Sequence, residues 1–253
     1  MGATIKYPRF MRFVVQALAC ICGILMHASV AAAEPDFTAE ARAAYEAAQT
    51  AYSTNASSVA AAMDLTRTAF DYADLAPNDT IRENVANNGI ATAKAAIAGN
   101  TNLVAAHYYL ALNIGQLART KMLGALKLLT EMERELNVVI FLDPKFDYAG
   151  GHRTIGVLYL EAPGWPTSVG DKKKARFHLE QALQIAPEFP DNHLCYLEAL
   201  IKWKEWKLAT EKLSDYRGIV PKAKERFTGP DWNYEWSDWT PREKAIQQKI
   251  LKK

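Results

Sequence analysis

The chain has 253 residues, 30 lysines and arginines against 28 aspartates and glutamates, and three cysteines. A formal charge of +2 excludes the basic footprint of a nucleic-acid binder, and 49% hydrophobic residues suffice for a sizeable core. A catalytic or cofactor motif is equally absent: the sequence contains no GxSxG, P-loop, HExxH, CxxC or dinucleotide fingerprint, so we read it as non-enzymatic and cofactor-free.

Residues 1–33 have the layout of a secretory signal peptide. Lys6, Arg9 and Arg12 precede the uncharged run FVVQALACICGILMHASV, and Ala31-Ala32-Ala33 offers cleavage after Ala33. The alternative is a retained membrane anchor, since the apolar run is long enough to span a bilayer. Cleavage would leave a chain from Glu34 with 27 basic and 28 acidic residues, net −1. Cys20 and Cys22 would leave with the leader, and Cys195 alone cannot form an intrachain disulfide. An exported chain without disulfides fits a bacterial periplasm.

From Asp36 onward apolar residues return at spacings of three and four, and strand signals are nearly missing. The pattern predicts helices over 37–53, 57–75, 79–98, 102–119, 121–142, 150–161, 172–186, 191–203, 206–219 and 241–251. Pro77-Asn78, Gly99-Asn100, Asp143-Pro144, Pro187, Pro190 and Pro221 punctuate them.

The prolines supply a ruler. Counting back from Pro187 gives Ala182, Leu179 and Ala175; from Pro221 the same offsets give Tyr216, Leu213 and Ala209, 34 residues on. From Pro144 they give Val139, Leu136 and Met132. A small, large, small pattern before a proline is the second helix of a tetratricopeptide repeat, where the small residue lets paired helices approach. Pro144 to Pro187 is nine residues too long, and seven of these fall between Tyr159 and Ala175, so APGWP (162–166) is an insertion between paired helices. Gly89, Ala93 and Ala96 are the small positions of an earlier second helix. The expected fold is an all-α, tetratricopeptide-type helical-hairpin solenoid over 34–253. Its repeats are clearest in 100–221, and 222–253 form an aromatic C-terminal cap.

HYYLALNIGQLA (107–118), GGHRTIGVLYLEAPGWP (150–166) and GDKKKARFHLEQALQIAP (170–187) together resemble the T components of tripartite ATP-independent periplasmic (TRAP) transporters. The resemblance implies a periplasmic protein that self-associates, has a mostly apolar groove or channel, and works with the transporter's substrate-binding component. Members are often lipoproteins, whereas Cys20 here follows a poor lipobox.

In such solenoids the first helix of each pair lines the concave face. Counting along the repeats places Tyr108, Leu112, Arg153, Val157, Leu160, Leu194, Glu198 and Ile201 there. That wall suits a hydrophobic small molecule or a partner helix, with Arg153 clamping a carboxylate. Arg153 could instead pair with Glu161 or Glu198. Trp165 either plugs the edge of the repeat core, or closes one end of the groove or packs against a neighbouring subunit. Trp232, Trp236 and Trp239 form a capping cluster or a subunit interface, with Pro230 and Pro241 limiting any helix there to a turn or two. His107, His152 and His193 share a repeat position but stand too far apart for one metal ion, and no metal is expected. Lys172, Lys173 and Lys174 read as the solvated first turn of a helix capped by Asp171, an anionic partner site being the alternative. Two functions follow: a TRAP accessory that binds a ligand or helix in its groove, or an envelope interaction scaffold with no small-molecule ligand.

Overall fold

The computed structural model describes residues 36–121 and 124–253. The expected leader, 1–33, lies outside the described residues. Among the described residues ten α-helices follow one another: α1 Phe37–Thr54, α2 Val59–Asp74, α3 Asp79–Gly99, α4 Val104–Arg119, α5 Ala125–Leu142, α6 Phe146–Glu161, α7 Lys172–Ile185, α8 Pro190–Lys202, α9 Trp206–Arg226 and α10 Asn233–Leu251. Among the described residues there is no strand. The all-α expectation is met.

Short polar side chains start the helices where the sequence places them. Asp36 Oδ1 accepts from the N–H groups of Thr38 and Ala39, Asn78 caps α3, and Asp171 Oδ1 accepts from Lys173 and Lys174 at 2.7 and 3.0 Å. Each pair then closes on small residues. Ala175, Leu179 and Ala182 of α7 are buried, as are Ala209, Leu213 and Tyr216 of α9. A Cβ added to Gly156 would lie 2.8 Å from Leu179 Cγ, so only glycine lets α6 and α7 approach this closely. Gly89 plays the same part against Asn113.

The two prolines of the ruler are not equivalent. Pro187 follows the end of α7, but Pro221 lies inside α9, which continues to Arg226. Pro241 likewise lies inside α10, whose 19 residues join the turn or two expected before that proline to the helix expected over 241–251. Proline removes one helical hydrogen bond each time. Here tertiary packing of Ala223, Phe227 and Trp239 outweighs that local cost.

α2, α4, α6, α8 and α10 form the inner row, each packed on the next. The row curves until its ends meet. Tyr234, at the start of α10, lies 3.5 Å from Asp74 at the end of α2, and its ring meets Phe37 of α1 edge-on at 5.1 Å. The C-terminal segment thus crosses the concave side from the last repeat to the first.

Candidate functional site

The inner helices converge on Arg153. Its helix begins abnormally: Asp147, Tyr148 and Ala149 have φ of 52°, 50° and 64°, a left-handed turn of three non-glycine residues. Such a turn costs about 1–2 kcal/mol per residue, so surrounding bonds must hold it. Arg153 Nη1 donates to the Asp147 and Tyr148 carbonyls at 3.3 and 3.2 Å, and Asn192 Nδ2 donates to the Tyr148 carbonyl at 3.1 Å. The Tyr148 ring stacks on Phe189 at 4.6 Å. Gly150 makes the space, since a Cβ there would fall 2.6 Å from both Asp147 Oδ2 and the Tyr108 hydroxyl.

From this turn a ladder of charges crosses four inner helices. The Tyr108 hydroxyl of α4 donates to Asp147 Oδ2 at 2.5 Å, and Arg153 Nη2 reaches the same oxygen at 2.8 Å. Arg153 Nε pairs with Asp191 Oδ2 of α8 at 3.1 Å. Asp191 Oδ1 then meets Arg242 of α10 at 2.5 Å. Arg242 also grips Glu198 with two parallel bonds of 2.8 Å and reaches Asp238 at 3.0 Å. This fork-to-fork geometry is the strong form of a guanidinium–carboxylate pair.

Position in the ladder sets each carboxyl's character. Burial lifts Asp147 to about 7, against the pull of Arg153 and the Tyr108 hydrogen bond, and its Oδ1 has no hydrogen-bond partner. Burial acts on Asp191 too, but Arg242 and Arg153 flank it and hold it below the usual carboxylate value. Burial, then neighbouring Asp191, pushes the Cys195 thiol well up, so it is a poor nucleophile.

The eight predicted wall positions fare unevenly. Tyr108, Leu112 and Leu194 are wholly excluded from solvent, and Arg153 and Val157 are buried. These five do not face an open groove in this conformation. Leu160, Glu198 and Ile201 are half-buried. Arg153 pairs with neither Glu161 nor Glu198. Glu161 takes Lys202 and Glu198 takes Arg242, while Arg153 finds Asp147 and Asp191. The returning tail covers Leu194 and takes Glu198 through Arg242, whereas Tyr108 and Leu112 are buried among the earlier helices themselves.

Within that tail, Trp232 and Trp239 pack around Phe189 and Phe227, and Trp236 Nε1 donates to the Phe227 carbonyl at 2.7 Å. All three tryptophans belong to this intrachain cluster. Trp165 does not plug the core, being 88% exposed. His107 bonds Glu135 and His193 the Pro187 carbonyl, while His152 meets His178. The three histidines serve separate helix contacts.

Asp147, Asp191, Asn192, Phe189 and Arg242 escape the repeat count. Asp191 and Asn192 follow Pro190 and read as ordinary first-turn residues. Arg242 follows a proline that suggests a break. A lone arginine beside DWNYEWSDW was the one available signal, because an aromatic cluster needs a surface to cover.

Helical hairpins stacked in a curved row, with small residues at the pair contacts, define a tetratricopeptide-like helical-repeat protein. Among solved structures the fold is similar to a thermophilic tetratricopeptide-repeat protein of Thermus thermophilus. The TM-score is 0.57 at 17% identity, covering 83% of this chain and 92% of that one. No protein-family model matches the chain, and no curated protein does.

Proposed function

We propose that the protein is a non-catalytic interaction protein of the cell envelope. On this reading its inner face recognises an amphipathic polypeptide segment anchored by an arginine, the place taken here by residues 229–242. The observation that carries this is Arg242. It inserts into a carboxylate pocket formed by Asp191 and Glu198, beside an aromatic floor at Phe189. Such a wall suits a helix with one cation and several aromatics. Leu194, buried in one cluster with Trp232 and Trp239 of the tail, supports a protein segment over a hydrophobic small molecule. The resemblance to TRAP T components points to a periplasmic location, to self-association and to the transporter's substrate-binding component as the partner.

A labelled peptide of residues 229–251 tests the recognition. Titrated against residues 34–253, it should bind weakly, because the tethered tail competes at an effective concentration on the order of mM. Against the Arg242→Ala chain it should bind about tenfold tighter, a gain of about 1.4 kcal/mol. A peptide carrying Arg242→Ala should lose that gain. Equal binding of the two peptides would overturn the reading. Co-purification with a TRAP substrate-binding component tests the partner separately.

A further inference from the structure

The loop 162–171 and the lysines after it lie apart from the inner face. The loop is closed by its own backbone. Gly170 N–H donates to the Pro163 carbonyl at 2.9 Å, Thr167 and Ser168 N–H to Gly164 at 3.0 and 3.3 Å, and Asp171 N–H to Tyr159 at 3.0 Å. Gly164 and Gly170 also form a backbone bridge. A well-bonded loop could tuck its indole against the repeats, yet Trp165 points away from them.

Contacts between side chains gather three segments at this edge of the solenoid. Lys202 Nζ, at the end of α8, donates to the Leu160 carbonyl at 3.0 Å and to Glu161 at 2.8 Å. Lys172 pairs with Glu205 at 3.2 Å and lies over the Trp203 ring at 5.2 Å. Lys253 lies over Trp206 at 5.3 Å. Segments 161–174, 202–207 and 249–253 therefore share one face made of helix ends and turns.

Nine lysines stand on that face: Lys172, Lys173, Lys174, Lys202, Lys204, Lys207, Lys249, Lys252 and Lys253, all exposed. Against them are four acids, all engaged: Glu161 with Lys202, Glu205 with Arg176 and Lys172, Asp171 with the backbone of α7, and Glu133 with Tyr159 and, at 3.8 Å, Lys174. The chain from Glu34 is net −1, so an excess of five positive charges at one edge is a strong asymmetry. Leu251, 75% exposed, adds a second apolar tip.

We propose that this edge docks on an anionic lipid bilayer, with Trp165 and Leu251 entering the headgroup layer and the lysines facing phosphates. Lysines with exposed apolar tips match an interface where apolar medium lies just beneath negative charge. An acidic protein or a nucleic acid would satisfy the lysines but leave Leu251 in water. Turn ends lying side by side offer a face rather than a cleft, which again fits a surface.

Vesicle flotation of residues 34–253, which hold every described helix, tests this. Vesicles of phosphatidylcholine alone should bind little, and about 30% phosphatidylglycerol should raise partitioning by roughly tenfold or more. Salt at about 0.5 M should remove most of that gain. Trp165→Ala, or Lys172→Gln with Lys173→Gln and Lys204→Gln, should lower partitioning several-fold with an unchanged circular-dichroism spectrum. Lys222→Gln with Lys224→Gln, at the far end of α9, should leave it unchanged. Equal binding to both vesicle types would overturn the proposal, as would edge variants that bind like the parent. Tighter binding of polyglutamate or a single-stranded oligonucleotide at the same edge would also overturn it, assigning the edge to a macromolecule.

Discussion

Replacing Arg242 by alanine removes the cation that ties the tail to the inner row. Four partners are lost at once: Glu198, held by two hydrogen bonds, and Asp191, Asp238 and the Cys195 sulfur, held by one each. Asp191 keeps Arg153, but buried Asp238 and half-buried Glu198 lose their guanidinium. Removing one partner of a buried ion pair costs about 3–5 kcal/mol, mostly through the charge left behind. For a domain of this size 1 kcal/mol shifts Tm by about 2–4 °C, so Tm should fall by roughly 10 °C. Hydrogen exchange should show the loss of protection first in residues 227–251, and a thiol reagent should reach Cys195, which the parent shields. The exposed pair Arg217–Glu243, at 3.0 Å, is the internal control, and Arg217→Ala should cost less than about 1 kcal/mol. If Arg242→Ala were as mild as Arg217→Ala, the tail would not be held by this pocket and the ladder would be incidental.

Asp147→Asn should change the pH profile of stability. A carboxyl lifted by burial from its ordinary value to about 7 binds its proton more tightly when folded. The stability this contributes is present below about pH 4 and is lost as pH rises from 4 to 7, by up to about 4 kcal/mol. His178, lowered to about 4 by burial and then by His152 and Lys174, acts oppositely in the same window, losing stability as pH falls. It is common to both proteins, so the parent-minus-variant difference in chemical denaturation should decline from pH 4 to 7; a flat difference would exclude the buried-proton account. Pro221→Ala should stabilise by about 1 kcal/mol or more, because it restores an N–H inside α9, whereas Pro187→Ala, after the end of α7, should lose about 0.5 kcal/mol through a looser chain. Changes of the same sign in thermal melts would contradict the difference between these two prolines.

How much of this was legible beforehand depends on sequence separation. Helix positions were, because caps and three-to-four spacing act within one turn: α1, α2, α3 and α7 lie within about two residues of their expected limits. The small residues Gly89 and Ala175 were legible as repeat positions, because pair contacts recur at fixed offsets. The site was legible only in part. Arg153 stood out as a charge on an apolar face, but its partners did not. Asp147 reaches it through a left-handed turn that no local rule favours, and Asp191 lies 38 residues away.

Local patterning by itself determined the helical class, the hairpin period and the insertion at APGWP, since each is encoded by neighbours a few residues apart. Only tertiary structure decided that the inner row closes on itself. That closure depends on Tyr234 meeting Asp74 and Phe37, and on Arg242 finding Asp191 and Glu198. The energy of those meetings belongs to surfaces 44 or more residues apart, and it overrides the breaks that Pro221 and Pro241 would otherwise impose. A repeat count can assign a residue to the inner wall, but whether that wall is open depends on where the rest of the chain packs.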